Sequence, residues 1–255
     1  MSRDVVSILG VRIDRLTLDQ AVDRCLEFLR SGRPHLVVTP NSEFLYAAAR
    51  DPEVRELLNR ADLAVADGAG VVLASRILGD PVPEKVAGVE LAEGLLRRAP
   101  AGTRVFLLGA TADSVAAAAS RVAERYPHLV VAGYRDGYWR HFNPEADREV
   151  IAAVRAAQPQ ILLCGLGFPK QERWLARYLA QLQVPVCIGV GGTIDAWSGR
   201  TPRAPRWMIR ANLEWLYRIV RFGRFRRSLP PLAGFLLLVG KERLRRVVRG
   251  RPRNG

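Results

Sequence analysis

The sequence predicts an α/β protein: a Rossmann-like parallel sheet flanked by helices, with a basic amphipathic C-terminal helical appendage. Short apolar runs such as 104–109 and 160–165 alternate with segments that have the length and spacing of helices. Continuous apolar runs are typical of strands buried on both faces, as in a parallel sheet covered by helices. Glycines follow most of the runs. Because ligands of such sheets bind beyond the carboxyl ends of the strands, we expect the functional site at that edge.

Each apolar run is predicted to form one strand, which gives strands at 36–39, 63–66, 104–109, 129–133, 160–165 and 184–189. The segments between them are predicted to be helices, at 42–50, 52–60, 71–78, 113–125, 144–157 and 169–182. A chain of 255 residues suits one large domain with a small addition. We therefore predict a Rossmann-like body over residues 1–196 and an appendage over residues 197–255, and we expect the body to fold without the appendage.

The net charge of +14 belongs entirely to the C-terminal part of the chain. Residues 1–199 carry 23 Arg or Lys and 23 Asp or Glu, whereas residues 200–255 carry 16 Arg or Lys and only two Glu. A neutral body with a basic tail indicates electrostatic attachment to a polyanion. The candidates are a nucleic acid backbone and an anionic membrane surface.

The appendage has the pattern of an amphipathic helix over residues 207–222. Leu213, Leu216 and Val220 share one side, and arginines fall largely on another. Basic helices of this kind lie in membrane interfaces, although a helix packed on the core with a solvated arginine face would look the same. The next apolar run, 229–239, favours the membrane but is too short to span it. With no signal-peptide pattern at the start, we expect the protein to attach peripherally to a membrane surface through this appendage.

Several kinds of chemistry are disfavoured by the residues themselves. Cys25, Cys164 and Cys187 are scattered in apolar stretches, which fits neither a disulfide framework nor a zinc site and suits a reducing compartment. The three histidines lie far apart, and no Asp-x-Asp, phosphate-binding loop or nucleophile elbow occurs. We expect no metal and no cofactor.

Polar residues follow two of the predicted strands. Asp67 ends one strand and precedes a Gly-Ala-Gly turn, where a carboxylate is well placed as a general base. Asp-Gly is more often a turn former or a helix cap, so both interpretations stand at this point. Thr39 and Asn41 follow another strand in the same way and would either orient a sugar or phosphate or simply cap a helix.

A more specific pattern follows the strand at 160–165. Gly165 and Gly167 leave the strand, a proline starts the next helix, and Lys170 and Gln171 lie at its N-terminus. Unpaired backbone N–H groups and the helix dipole make such a turn an anion site. The spacing is not that of a dinucleotide fingerprint, so a nucleoside diphosphate fits better. Asp195 follows a further glycine turn, which is a weaker signal.

Taken together, these segments resemble the WecG/TagA/CpsF family of bacterial glycosyltransferases, in family order over about residues 35–227. The matching stretches are 39–43, 59–71, 105–109, 133–138, 165–172, 189–195, 203–207 and 213–218. The resemblance implies an inverting, metal-independent transfer of N-acetylmannosamine, or its uronate, from a UDP donor to N-acetylglucosamine on undecaprenyl diphosphate. Such chemistry would serve cell-wall or surface polysaccharide synthesis. The resemblance therefore also implies a cytoplasmic protein, bound peripherally at the inner face of the cell membrane.

The resemblance also implies roles for individual residues. Asp67 would be the general base, and the remaining catalytic residues would be Thr39, Arg218, Arg224 and Arg227, whose guanidinium groups would neutralise the leaving UDP in place of a metal. The implied substrate-binding residues are Asn41, Lys85, Gly109, Gly133, Tyr134, Gly165, Gly167, Lys170, Gln171 and Asp195.

Two departures from the family pattern affect these roles. Lys85 stands where the family more often has arginine, which keeps the charge but loses bidentate geometry. Phe222-Gly223 replaces an acidic-proline pair before the last arginines, which affects the matching of Arg224 and Arg227. In addition, residues 229–255 extend past the common core of the family and are expected simply to strengthen membrane attachment.

Two other functions are compatible with parts of the sequence. The same fold could transfer glucose, galactose or glucuronate, since no residue specifies the sugar directly. A nucleic-acid-binding protein could use the arginine-rich tail, but the glycines at the strand ends would then have no purpose. The expected partners are therefore a UDP-sugar, a polyprenyl-diphosphate-linked acceptor and an anionic membrane, and not a nucleic acid. A homo-oligomer is left open.

Overall fold

The structure is a computed structural model that describes residues 3–200, 205, 207–208, 214–221, 223 and 225–248. Its strands are β1 (Val5–Ile8), β2 (Val11–Asp14), β3 (His35–Val38), β4 (Leu63–Ala64), β5 (Arg104–Gly109), β6 (Val130–Arg135), β7 (Ile161–Gly165) and β8 (Val186–Gly189). Its helices are α1 (Leu18–Ser31), α2 (Ser42–Arg50), α3 (Pro52–Asn59), α4 (Ala69–Ile77), α5 (Gly88–Arg98), α6 (Ala112–Arg125), α7 (Pro144–Ala157), α8 (Lys170–Leu182), α9 (Thr193–Trp197), α10 (Glu214–Arg221) and α11 (Phe225–Val248).

The predicted strands and helices of the body are confirmed to within a few residues. The six predicted strands form a wholly parallel sheet in the order β4-β3-β8-β7-β5-β6. The Rossmann-like fold class is therefore confirmed. The sequence analysis did not predict β1, β2, α1, α5 or α9.

Helices cover both faces of the sheet, and the chain changes face between β5 and β7. After β5, helix α6 packs with Leu107 and Leu163 on one face. After β7, helix α8 packs with Phe106 and Leu162 on the other face. Neighbouring strands whose following helices diverge leave a crevice at their carboxyl ends, which is where ligands bind in open α/β sheets.

The N-terminal strands β1 and β2 form a separate antiparallel hairpin. Its two-residue turn has positive φ at both Leu9 (52°) and Gly10 (82°), which is the geometry of a type I′ turn. The side chain of Asp14 joins the hairpin to the sheet, because its Oδ2 accepts a 2.8 Å hydrogen bond from the Ala64 amide in β4. The hairpin thereby closes the β4 side of the body.

The C-terminal helix α11 packs on the body, against α2 and α4. Phe235 and Val239 are completely buried in the same core cluster as α8. One turn further on, Glu242 Oε2 accepts a 2.9 Å hydrogen bond from the Leu9 amide, and the Arg246 guanidinium donates to the Ser7 carbonyl oxygen at 2.6 Å. Residues 229–255 were expected only to strengthen membrane attachment, so the burial of Phe235 and Val239 corrects that expectation and argues against a body that folds well without them.

The structure describes only part of the appendage, so it bears on only some of the expectations for this segment. Helix α10 confirms helical structure over part of residues 207–222, and the division at residue 196 stays a prediction. Over the part of the chain that the structure describes, none of the helices combines the length and the apolar character that crossing a bilayer requires.

Candidate functional site

A cleft of about 600 Å³ opens at the carboxyl ends of β5, β7 and β8. Its lining comes from the loops that follow these strands and from the loop between β6 and α7. The lining residues are Ala110, Gly137, Tyr138, Trp139, Arg140, His141, Gly165, Leu166, Gly167, Lys170, Gly191, Gly192 and Asp195. The structure thus places four of the predicted substrate-binding residues in one cleft, at the crevice where the chain changes face: Gly165, Gly167, Lys170 and Asp195.

Gly109 forms the base of this region without lining it. Its φ of +128° is one that side chains rarely adopt. A β-carbon at this position would lie 2.9 Å from the Cα of Gly165 and closer still to its carbonyl group. Glycine at position 109 therefore allows β5 and β7 to approach each other below the cleft, which is a backbone role.

Gln171 links two of the loops that line the cleft. Its side chain is buried, and its Oε1 accepts hydrogen bonds from the amides of Gly167 (3.1 Å) and Gly191 (3.0 Å). Its Nε2 donates to Glu172 Oε1 at 2.7 Å. Gln171 was expected to contact the donor directly, but the structure uses its side chain to hold the loops that line the cleft.

Positive charge predominates among the side chains at the cleft. Arg140, His141 and Lys170 contribute nitrogen atoms, and Asp195 contributes a carboxylate. The pKa of His141 is lowered, first by burial and then by the charge of Lys170. Its Nε2 is buried with no hydrogen-bond partner among the described residues. At neutral pH the permanent cations of the cleft are therefore Arg140 and Lys170, which suit a phosphate group.

The loop between β6 and α7 is held by a buried carboxylate that the sequence analysis did not identify. Asp147 is almost completely buried, and it accepts hydrogen bonds from Trp139 Nε1 (2.8 Å), Trp174 Nε1 (2.9 Å) and the Tyr178 hydroxyl (2.9 Å). Trp139 in turn contacts the His141 ring, with 4.2 Å between centroids. One carboxylate therefore connects α7, α8 and the aromatic wall of the cleft.

Replacing Asp147 by alanine is expected to lower the free energy of unfolding by about 3 kcal/mol or more. Two buried donors, on Trp174 and Tyr178, and the partly buried one on Trp139 would lose their acceptor, and each unsatisfied buried donor costs about 1–3 kcal/mol. Urea unfolding followed by tryptophan fluorescence measures the loss. Glu124→Ala is the matched control, because its side chain is exposed on α6 and its effect should stay within about 0.5 kcal/mol. Equal effects of the two substitutions would contradict the role given to Asp147.

A second group of predicted residues lies at the ends of β3 and β4. The Asp67 amide donates to the Pro40 carbonyl oxygen at 3.0 Å, which ties the loop after β4 to the loop after β3. The Asp67 carboxylate Oδ2 accepts a 3.2 Å hydrogen bond from the amide of Gly88, the first residue of α5. Negative charge is favoured at a helix N-terminus, so this position suits an ionised carboxylate.

Gly88 also brings Thr39 to the same place. A β-carbon on Gly88 would lie 2.9 Å from the Thr39 hydroxyl oxygen, so glycine there lets the buried hydroxyl and the Asp67 loop approach each other. Lys85, three residues before Gly88, is half-buried and lies 3.7 Å from Glu90. The structure therefore groups Asp67, Thr39 and Gly88 closely, with Lys85 on the same loop.

The remaining predicted residues have structural roles or lie elsewhere. Asn41 Oδ1 caps α2 by accepting from the amides of Glu43 and Phe44, which is the alternative considered for it. Gly133 lies within β6, where a β-carbon would come within 2.8 Å of the Phe106 ring. Tyr134 is exposed on the same edge strand and is not part of the cleft lining.

The three predicted catalytic arginines of the appendage fall wholly or partly outside the described residues. Arg224 lies outside the described residues. Arg218 and Arg227 lie on α10 and α11, but their side chains also fall outside the described part of the chain.

The cleft and the Asp67 group belong to one edge of the sheet. Asp67 follows β4, which is three strands away from β7 in the sheet order β4-β3-β8-β7, or about 14 Å at about 4.8 Å per strand. From the end of β8, the nearest strand whose following loop lines the cleft, the end of β4 is about 10 Å away. That is about the extent of a hexose with the group it is attached to. Within the described residues, His, Cys, Asp and Glu side chains form no group of three that could hold a metal ion.

A buried carboxyl also lies below the cleft. Glu172 is fully buried, and burial raises its pKa to about 7. Between pH 4.5 and 7 the folded protein therefore keeps a proton that the unfolded chain releases, so the free energy of unfolding falls as the pH rises through this window. The total loss is about 3 kcal/mol at 1.36 kcal/mol per pKa unit.

Urea unfolding of the wild type at pH 5 and pH 8, compared with Glu172→Gln, measures this contribution. The variant has no titrating group at this position, so its stability should vary less between the two pH values by about 3 kcal/mol. An identical pH dependence of both proteins would assign the effect to other groups.

Comparison with known proteins identifies the family that the chain is similar to. The Glycosyl transferase WecG/TagA/CpsF family matches residues 6–249. A relative from Staphylococcus aureus strain NCTC 8325 is 36% identical over 232 residues, covering 88% of this chain and 89% of the relative. A relative from Bacillus spizizenii is 35% identical over 204 residues, covering 79% and 77%. Both relatives are named N-acetylglucosaminyldiphosphoundecaprenol N-acetyl-beta-D-mannosaminyltransferase.

The protein is therefore an enzyme, a glycosyltransferase of the hexosyltransferase type. More particularly, the chain belongs to the WecG/TagA/CpsF family, as its sequence motifs indicated.

Proposed function

We propose that the protein transfers N-acetylmannosamine, or its uronate, from a UDP donor to N-acetylglucosamine on undecaprenyl diphosphate, with inversion and without a metal. The observation that carries the proposal is the arrangement of one sheet edge: a cationic cleft at β5, β7 and β8 lies beside a carboxylate at the end of β4. The names of the two relatives support the sugar and the acceptor.

The donor nucleotide would occupy the cleft. The backbone at Gly165–Gly167 and Gly191–Gly192, together with Lys170 at the N-terminus of α8, would bind the diphosphate. Tyr138 lines the cleft and is 76% exposed, so its ring would be available to stack on the base. Asp195 would accept hydrogen bonds from hydroxyl groups of the donor.

The sugar would extend from the cleft toward Asp67. In an inverting transfer, Asp67 takes the proton of the acceptor hydroxyl while the oxygen of that hydroxyl attacks the anomeric carbon. The bond from that carbon to the UDP oxygen breaks on the opposite side, and UDP leaves with the electron pair. Lys170 and the appendage arginines Arg218, Arg224 and Arg227 would neutralise the charge that develops on UDP. Thr39, beside Asp67, would orient the acceptor or the sugar.

The lipid acceptor requires contact with a membrane, and α11 presents a suitable face. Phe235, Val239 and Glu242 face the body. Leu237, Leu244 and Val248 are all more than 60% exposed, and with the exposed Lys241 they form a second stripe on the opposite side of the helix, since residues three or four apart share a face. An apolar stripe beside basic residues fits an anionic bilayer surface. We therefore place the enzyme peripherally at the inner face of the cell membrane.

Replacing both Leu237 and Leu244 by aspartate is expected to weaken binding to anionic vesicles by at least tenfold. Each change removes an exposed apolar side chain that would insert into the bilayer, and it adds charge repulsion. Flotation with phosphatidylglycerol-containing vesicles measures binding. The difference from binding to neutral phosphatidylcholine vesicles gives the electrostatic contribution. Ile77→Asp, at an exposed apolar residue near the end of α4, is a comparison for general surface charge. Unchanged flotation of the double variant would contradict a membrane role for this stripe.

The reaction is tested by release of UDP from UDP-N-acetylmannosamine. The assay contains a chelator and is run with and without lipid-linked N-acetylglucosamine diphosphate. Acceptor-dependent release would support the donor, the acceptor and metal independence together. UDP binding without release would refute the proposed sugar and direct the search to other hexoses. Absence of UDP binding would refute the proposed donor.

A further inference from the structure

Glu172 lies directly beneath the link that Gln171 makes between the two glycine loops. Its side chain is fully buried in the first turn of α8, and its Oε1 accepts the 2.7 Å hydrogen bond from Gln171 Nε2. Its second oxygen, Oε2, is buried with no hydrogen-bond partner among the described residues. A β-carbon on Gly189 would lie 2.7 Å from Gln171 Nε2 and 2.9 Å from Glu172 Oε1, so the end of β8 is shaped around both side chains.

A carboxyl group at this position is costly, because burial disfavours its charge and one oxygen has no partner. The other buried side chains along this helix include Trp174 and Leu175, which pack without any such cost. A hydrophobic residue would satisfy packing at position 172 equally well. The carboxyl is therefore explained by its hydrogen bond to Gln171.

That hydrogen bond decides which way the Gln171 amide points. The two ends of a glutamine amide have nearly the same shape, but one accepts hydrogen bonds and the other donates them. The amides of Gly167 and Gly191 are both donors, so only the orientation with Oε1 toward them links the loops. An acceptor at Nε2 favours that orientation, and the reverse one would place NH₂ against two N–H groups.

We propose that Glu172 is a positioning residue for donor binding: by fixing the orientation of Gln171, it sets the two glycine loops that line the cleft. The inference rests on the proposed function in so far as the ligand of the cleft is a UDP-sugar. Glu172 does not line the cleft itself, so its effect reaches the donor only through Gln171 and the loops.

Three variants separate positioning from packing. Glu172→Met removes the acceptor and puts an apolar side chain of similar length in its place. Glu172→Gln keeps an acceptor for Gln171 Nε2. Leu182→Ala, at the far end of the same helix and fully buried, lowers stability without touching the loops.

We expect Glu172→Met to weaken UDP binding by about tenfold in isothermal titration calorimetry and to raise KM for the donor more than it lowers kcat. Glu172→Gln should restore most of the affinity, and Leu182→Ala should bind UDP as the wild type does. Wild-type affinity in Glu172→Met, or an equal loss in Leu182→Ala, would overturn the proposal.

Amide hydrogen exchange of Gly167 and Gly191 tests the same point without any ligand. Both amides should exchange about tenfold faster in Glu172→Met than in Glu172→Gln, and equal rates would overturn the proposal. If the wild type failed to bind UDP, the proposed donor would be wrong, and this exchange measurement would still decide whether Glu172 positions the loops.

Discussion

Replacing Asp67 by asparagine is expected to lower the rate of sugar transfer by about 10²- to 10⁴-fold, the usual contribution of a general base. Asparagine has the same shape and keeps an oxygen that can accept from the Gly88 amide, so the loop should keep its conformation. It cannot take the proton of the acceptor hydroxyl. In the proposed binding mode UDP lies on the other side of the sugar, in the cleft, so its Kd should change by less than about twofold. Acceptor-dependent UDP release and calorimetry measure the two quantities.

The matched control for this variant is Asp19→Asn. Asp19 lies in the first turn of α1, its side chain is 92% exposed, and its carboxylate is 3.9 Å from Arg98. Its loss should leave the rate unchanged. A normal rate in Asp67→Asn would remove Asp67 from the mechanism, and a parallel loss of UDP binding would show that the loop had moved.

Replacing Phe235 by alanine is expected to lower the free energy of unfolding by about 3–5 kcal/mol, the usual cost of removing a buried aromatic side chain. Phe235 is completely buried between α11 and the body, near the start of α4, where its ring lies 3.9 Å from the position of a β-carbon on Gly70. Since α4 follows the Asp67 loop directly, we expect the loss to reach the candidate site as well. Chemical unfolding measures the effect.

Leu237→Ala provides the control on the same helix. Leu237 is 68% exposed, so its truncation should change stability by less than about 0.5 kcal/mol. If Phe235→Ala had an equally small effect, α11 would be an attachment and not part of the core. A chain ending before Phe225 should show at least the loss of Phe235→Ala.

The elements that the sequence predicted best are those with a purely local signal. Helix α7 was predicted with its exact bounds, and strand β5 likewise, since each follows from local composition. The hairpin of β1 and β2 was missed because its turn contains Leu9 at φ 52°, where asparagine, aspartate or glycine would be the usual signal. The apolar run 229–239 was assigned as a whole to the membrane, because exposed and buried apolar stripes have the same spacing in a sequence. In the structure Phe235 and Val239 of this run are buried in the core.

The residues of the candidate site likewise divide into those that a local sequence pattern predicted and those that it did not. The anion-binding turn at Gly165 to Lys170 was predicted from glycines and a helix start, and the structure places it at the cleft. Asp147 and Glu172 were not identified, because a buried carboxylate in a helix looks like any solvated one until its partners are known. For Gln171 the position near the cleft was predicted, but its hydrogen bonds to Gly167, Gly191 and Glu172 depend on loops that are distant in sequence.

The sequence by itself determined the fold class and the family, and it predicted the edge of the sheet at which the candidate site lies, since apolar runs, glycines and helix starts are local features. Only the tertiary structure decided the strand order, the cleft between β5 and β7, and the meeting of Asp67 with Thr39 across Gly88. It also decided that one face of α11 belongs to the core. The physical reason is that burial and hydrogen bonding depend on contacts between segments far apart in the chain, which no local pattern records.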